Sequence, residues 1–281
     1  MTSWCRIELE GKPVFGFVED GEIHVVRGRP WFGEYRRTRI RVPIAEAKLL
    51  VPAAPANFYA VGLNYRAHIE WAARHHGMAV KVPEHADVGY RSPNALVPSG
   101  ADIVIPRDSE GPVEYEGELV VVIGREARHL AEAEALGCVA GYTLGNDVSE
   151  RAWQRRDRTL WRAKNTDTFK PMGPFVVSGI DPMAQRISVR INGQTVSEYD
   201  TSGMIFSVAH FISRMSRYVT LHPSDVIWMS CDGPTVPPLQ PGDLVEVSNP
   251  AIGVLANRVV REGSGDVETP VVPARAWDAG R

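Results

Sequence analysis

Glu114-Tyr115-Glu116-Gly117-Glu118-Leu119-Val120-Val121-Val122-Ile123 sets three acidic residues directly against an apolar run. The valines favour a strand, and in a strand side chains two apart share a face. Glu116 and Glu118 are therefore predicted to project together, roughly 7 Å apart at the backbone from the strand rise. Two carboxylates pressed against an apolar strand repel each other and lose hydration. A hard divalent cation relieves both effects, because Mg²⁺, Mn²⁺ and Ca²⁺ take oxygen ligands. A solvated acidic strand edge is the other reading that the spacing leaves open.

Asp147 offers a third carboxylate. It follows the apolar stretch Val139–Leu144, where an acid without a partner is costly. Gly145-Asn146 places it at a strand terminus. Three carboxylates complete one face of an octahedral site and leave room for water or substrate. Asp147 also suits the N-cap of a helix starting near Ser149.

On either side of this stretch, short strands dominate. Cys5–Leu9, Val14–Val18 and Ile23–Val26 are punctuated by Gly11-Lys12-Pro13 and Asp20-Gly21, the latter a hairpin signal. The small and proline-rich segment Pro52–Pro55 reads as a linker. Phe58–Val61 is predicted as a strand, Tyr65–His75 as a short helix, and the following residues to about Val97 as a long polar loop. Val113–Gly124 is read as one strand, Leu130–Leu136 as a short helix and Cys138–Leu144 as a strand. Ile187, Val189 and Ile191 alternate into the hairpin turn Asn192-Gly193. Met204, Val208, Phe211, Ile212 and Met215 recur at helical spacing, which predicts a helix over Gly203–Ser216. Asp225–Met229, Leu244–Val247 and Ile252–Val260 are further strands. Strands outnumber helices without regular alternation, so the expected class is α+β, mainly β. The predicted organisation is a small N-terminal β domain at 1–52, a catalytic domain at 53–264 and a tail at 265–281.

The composition narrows the function. With 281 residues and 44% hydrophobic content, the chain can fill a sizeable core. A formal net charge of −3 argues against nucleic acid, which calls for a basic stripe. The three cysteines are far apart and suggest neither a disulfide framework nor a zinc site. The charged N-terminus lacks a signal-peptide core, and the densest apolar run is far shorter than a membrane span. A soluble cytoplasmic protein with no membrane partner is expected.

Several blocks in fixed order then resemble the fumarylacetoacetate hydrolase family, over roughly Asn57 to Val260. Gly62-Leu63-Asn64-Tyr65 with His68 is similar to its lid segment. Glu116-Gly117-Glu118 and Asn146-Asp147-Val148-Ser149 are similar to its metal-binding pair and third ligand. Arg151 and Gln154 match the helix that follows. Lys164, Asp167-Thr168-Phe169 and Pro171-Met172-Gly173-Pro174 match the next block, and Asn192-Gly193, Met204-Ile205-Phe206 and Pro241-Gly242-Asp243 through Ile252-Gly253 complete it. The resemblance implies a mixed β-roll domain, a homodimer, and one Mg²⁺ or Mn²⁺ per chain on Glu116, Glu118 and Asp147. It implies a small 2-oxo acid as substrate, chelating the ion. Lys164 would offset the negative charge, anchor substrate or move a proton. Tyr65, Arg151, Gln154, Lys164, Ser230 and Cys231 are the expected substrate contacts. The bland readings stay open: Lys164 as an exposed lysine near Trp161, and Arg151 with Gln154 as an ordinary polar helix face.

Two departures stand at the substrate side. Hydrolytic members carry His-x-x-Glu on the lid, but here Trp71 stands at that distance from His68 and Glu70 sits one position early. One residue is about 100° on a helix, so Glu70 replaces the acid only if the lid winds differently. His68 alone can still act as a base, with His75 and His76 as possible substitutes. In Met229-Ser230-Cys231-Asp232-Gly233, Cys231 stands where the family has a threonine. A thiol is a poorer donor than a hydroxyl, so Ser230 or backbone N–H groups would do the work. No histidine partner is suggested nearby in sequence, so Cys231 is not read as a nucleophile. The leading expectation is metal-dependent hydrolysis of a C–C bond in a 2,4-dioxo acid of acylpyruvate type. The alternative is decarboxylation, isomerisation, hydration or tautomerisation of a 2-oxo acid, and a third reading is a non-catalytic binding protein.

Overall fold

The computed structural model describes residues 1–76, 79–233 and 235–263, without the side chains of Phe32, His75 and His76. The proposed substitutes His75 and His76 and the tail 265–281 thus lie outside what is described. Gly117–Ile123 is buried at every position. Leu119, Val121 and Ile123 enter one core while Val120 and Val122 enter another. A strand covered on both faces reads as a continuous apolar run, which is what Leu119–Ile123 shows.

This strand lies inside a large sheet. Neighbouring strands run Glu34–Pro43, Glu22–Arg29, Lys12–Glu19, Thr2–Leu9, Lys170–Ser178, Val139–Asn146, Gly117–Ile123, Val226–Trp228, Phe58–Val61 and Val88–Arg91. The N-terminal strands join through Thr2–Leu9, which pairs antiparallel with Lys170–Ser178. A second sheet orders Gln194–Asp200, Arg186–Ile191, Leu244–Asn249, Gly253–Arg261 and Ile103–Ile105. Val189, Val245, Val247, Leu255 and Val259 from it meet Leu119 and Val121 in the main core. The opposite face of the large sheet packs Phe58, Val120, Val122, Val226 and Trp228 with Trp4, Phe17 and Trp31. The molecule is α+β and mainly β.

Four local expectations are corrected. Val113–Gly124 is not one strand. Val113–Glu114 pairs with Ser149–Glu150 in a separate ribbon, and Gly117–Ile123 enters the large sheet. The break at Glu116 has a cause: its N–H goes to Asn146 Oδ1 at 3.0 Å instead of to a neighbouring strand. The Gly203–Ser216 helix begins only at Val208, because Ser207 caps it by accepting the His210 N–H at 3.1 Å. The polar loop after the lid helix contains the strand Val88–Arg91, antiparallel to Phe58–Val61. Leu130–Leu136 is a tight 3₁₀ segment, Glu132–Cys138, rather than an α-helix.

Lys170–Ser178 is central yet carries Pro171 and Pro174, residues that argue against a central strand. The pairing register shifts between Tyr142 and Leu144, beside Gly173. Gly117 is required by close approach. A Cβ there would meet Val189 Cγ2 of the second sheet at 2.6 Å.

Candidate functional site

Gly117–Ile123 and Val139–Asn146 are antiparallel neighbours, with Gly117 opposite Asn146 and Glu118 opposite Gly145. Asp147 follows directly and donates its backbone N–H to Glu116 O at 2.8 Å. The three acids thus converge from two adjacent chain segments. One carboxylate oxygen from each of Glu116, Glu118 and Asp147 lies within 4.8 Å of the others, and all three residues are buried.

Cations surround them unevenly. Lys164, on the short helix Trp161–Asn165, donates to Glu116 Oε2 at 2.6 Å and Asp147 Oδ2 at 2.9 Å. It is buried rather than an exposed lysine. Arg91 reaches Asp147 Oδ2 at 3.0 Å through Nη2 and Oδ1 at 3.4 Å through Nε. Lys170 Nζ lies 2.7 Å from Asp147 Oδ1. Arg151 donates to Glu114 Oε2 at 2.6 Å and to Glu116 Oε1 at 2.8 Å. Its third arm spends Gln154 Oε1 at 2.6 Å. Glu118 accepts the Ser230 N–H at 2.8 Å and, among the described residues, forms no ion pair.

The titration behaviour follows this arrangement. Burial works to raise Glu116, but Lys164 and Arg151 outweigh it and hold it at about 2. Burial likewise opposes the Asp147 charge, and Arg91, Lys164 and Lys170 overcome it, keeping the carboxyl well below its ordinary range. Burial pushes Glu118 well above its ordinary value, and Asp147 and Glu116 push it further. Burial brings the Lys170 amine down to about 7 against the pull of Asp147.

The lid side is built from the helix Arg66–His76 and the segment after Trp228. His68 is half-buried, with Nδ1 3.1 Å from the Cys231 carbonyl and 3.9 Å from its Sγ. No histidine lies close to Cys231 in sequence, and the fold brings His68 across from a distant part of the chain. The thiol still makes a poor nucleophile, since burial, Glu116 and Glu118 all push it well up. Burial lowers His68, favouring neutral imidazole. Trp71 meets the His68 ring edge-on at 6.2 Å. Glu70 is half-buried, and among the described residues no carboxylate hydrogen-bonds to His68. Tyr65 is buried edge-on against Tyr199 at 5.2 Å. Ser230 adopts φ +71° and turns its N–H toward Glu118, while its hydroxyl faces the Cys231 carbonyl at 3.4 Å.

Comparisons with known proteins place the chain in a family. Residues 57–260 match the fumarylacetoacetate (FAA) hydrolase C-terminal model. The chain belongs to the fumarylacetoacetate hydrolase family. Residues 3–52 match a second model, Rv2993c-like, N-terminal. The human mitochondrial oxaloacetate tautomerase FAHD2A is 34% identical over 78% of this chain and 71% of its own length. The crystal structure of 5-carboxymethyl-2-hydroxymuconate delta-isomerase from Mycobacterium smegmatis is 33% identical with TM-score 0.83, covering 93% of this chain and 100% of that one. Fumarylacetoacetate hydrolase from psychrophilic Exiguobacterium antarcticum is 28% identical with TM-score 0.75, covering 93% and 100%. Fumarylacetoacetate hydrolase family members thus include enzymes of several reaction types.

The residues present fit a hard divalent ion. The donor set is three carboxylates, the oxygen chemistry that Mg²⁺ and Mn²⁺ take. Glu118 is buried without an ion-pair partner among the described residues, and such a charge calls for a cation. Reading the sequence missed Arg91, Lys170, Glu114 and Thr235. Thr235 Oγ1 takes Arg151 Nη2 at 3.2 Å and hydrogen-bonds Glu114. Lys170 had a signal, a lone cation between Phe169 and Pro171-Met172. Arg91 had none within its polar surroundings. No described helix is long and apolar enough to cross a membrane.

Proposed function

We propose that this fumarylacetoacetate hydrolase family member moves a proton on a 2-oxo dicarboxylic acid, as a tautomerase or isomerase. One Mg²⁺ or Mn²⁺ would be held by Glu116, Glu118 and Asp147. The buried acidic triad, faced by cations, with no carboxylate hydrogen-bonded to His68 among the described residues, carries this reading. Among the described residues the site has four carboxylates, Glu114, Glu116, Glu118 and Asp147, and four cations, Arg91, Arg151, Lys164 and Lys170. A divalent ion adds two positive charges to that balance, and a doubly negative substrate compensates them. The relatives named oxaloacetate tautomerase and delta-isomerase support the same choice.

When bound, the ion would draw electron density from the keto group and so acidify the neighbouring C–H. The chain's own groups would handle the proton. With Nδ1 donating to the Cys231 carbonyl, the neutral His68 ring leaves Nε2 as acceptor, and we assign it as base. Lys164, tied to Glu116 and Asp147, is assigned to a substrate oxygen, where it opposes the growing negative charge. Arg151 is already committed to Glu114, Glu116 and Gln154, so its role in this reading is to hold Glu116.

Hydrolysis of a 2,4-dioxo acid is the second reading, favoured by His68 and by the Exiguobacterium relative. It lacks the lid acid that would share the activation of water with the histidine. To separate the two, purified protein with Mg²⁺ is mixed with the enol of a 2-oxo diacid, and loss of enol absorbance is followed. A panel of acylpyruvates is assayed for pyruvate in parallel. Faster enol–keto exchange with no pyruvate is expected. Rapid pyruvate release would move the assignment to hydrolysis, and inertness in both assays would leave a binding protein. A homodimer is part of the same proposal and is checked by light scattering.

A further inference from the structure

Lys170 buries a cation beside the acidic triad. It opens the strand Lys170–Ser178 and has 0% exposure. Its Nζ lies 2.7 Å from Asp147 Oδ1 and donates to Val148 O and Phe169 O, each at 2.8 Å. An ammonium has three N–H groups and no acceptor, so these three oxygens use it fully and leave nothing for a substrate. Asp147 Oδ2 is held differently. It meets Lys164 at 2.9 Å and Arg91 Nη2 at 3.0 Å, and both partners are shared: the same ammonium reaches Glu116 Oε2 at 2.6 Å and the same guanidinium reaches Oδ1 at 3.4 Å. Oδ2 is therefore the oxygen on the side of the acidic triad, and Oδ1 is turned toward the buried lysine.

We propose that Lys170 is a positioning residue that fixes how Asp147 binds a cation: by occupying Oδ1 it leaves Oδ2 alone to the ion, and so favours Mg²⁺ or Mn²⁺ over Ca²⁺. The proposal rests on the metal-centre reading above. Mg²⁺ demands near-octahedral geometry at short range, which suits one oxygen per carboxylate, whereas Ca²⁺ takes more oxygens and readily accepts both from one carboxylate. Freeing Oδ1 for a second metal bond would strip a buried ammonium of its counter-charge, a costly change. Arg91 and Lys164 also touch Asp147, but Lys170 alone ties it to buried backbone carbonyls on both sides of the strand entrance.

The test compares Mg²⁺ and Ca²⁺ dissociation constants by calorimetry in the full-length protein and in Lys170→Met, with a melting curve for each. Removing one buried positive charge shifts both divalent ions alike, so the ratio of the two constants isolates the geometric effect. The expected result is a Ca²⁺-to-Mg²⁺ ratio that falls by about fivefold or more in the variant. An unchanged ratio overturns the proposal, whether or not the separate affinities move. If Lys170→Met does not fold, crystals of the unaltered protein grown with Mg²⁺ decide. Oδ1 still on Lys170 with Oδ2 alone on the ion is expected, and both Asp147 oxygens on Mg²⁺ overturns it. Absence of binding heat for either ion in the unaltered protein overturns the metal-centre reading itself, and is distinguishable from an unchanged ratio.

Discussion

Glu118 lies on one of two paired strands and Glu116 and Asp147 adjoin their ends, while His68 rides on a helix and meets the strand side through one carbonyl, that of Cys231. The acidic floor is buried, ionic and cross-linked by Lys164 between two of its members. On the lid, His68 is half-buried and favours the neutral ring, with Trp71 edge-on beside it. A floor of this kind serves any reaction that begins by loosening a bond next to a keto group. The lid decides which bond, because it supplies the group that meets the proton or the water. The relatives that match this chain carry tautomerase, isomerase and hydrolase names.

The largest expected effect tests the floor against itself. Asp147→Asn leaves Arg91, Lys164 and Lys170 without a shared counter-charge. Breaking a buried pair in this way costs about 3–5 kcal/mol, so the melting temperature should drop along with loss of metal binding. Glu118→Gln should also lose metal binding, yet the metal-free protein should melt no lower. Burial and its acidic neighbours already oppose the Glu118 charge, and an amide oxygen can still accept the Ser230 N–H. Melting curves with a chelator compare the two variants. Equal destabilisation would mean that the cations are not distributed around the floor as the ion pairs indicate.

The second effect crosses from floor to lid. Trp71→Glu restores an acid three residues after His68, on the helix Arg66–His76. General acid–base groups contribute roughly 10²–10⁴-fold, so the variant should show pyruvate release from acylpyruvates that the unaltered protein lacks. Mg²⁺ affinity should stay unchanged, because none of the floor ligands is touched. A shift in metal affinity as large as the gain in turnover would show that lid and floor are not separable.

How much of this was legible follows the same line. The floor could be read because its chemistry is local: Glu116, Gly117 and Glu118 are adjacent, and the run Leu119–Ile123 announces a strand covered on both faces. The strand break at Glu116 could not, because it depends on Asn146, thirty residues away. Lys170–Ser178 was hidden by its prolines, whose cost is absorbed where the register shifts beside Gly173. Arg91 was hidden because a short strand between turns has too few residues to show a period. The pairing of His68 with Cys231 is purely tertiary, the two standing 163 positions apart. Sequence marks a charged residue beside an apolar run well, and marks poorly which distant group will face it.

The smallest effect is a pH dependence confined to the floor. Glu118 is raised above its ordinary range, so below that raised value it carries a proton that an incoming ion must displace. Glu116 and Asp147 are held ionised by their cations and release none. Mg²⁺ affinity should therefore rise with pH up to the Glu118 value and then level off, by at most about tenfold per pH unit for one proton. The sign for stability is opposite. The folded protein binds the Glu118 proton more tightly than the unfolded chain does, so the metal-free protein loses this contribution as pH rises through the same window. Calorimetry in two buffers of different ionisation enthalpy counts the protons released on binding. About one is expected in the unaltered protein and in Trp71→Glu alike, since residue 71 is not among the groups that would hold the ion. Release of no proton would mean that Glu118 is already ionised, and that the floor holds its third negative charge without help.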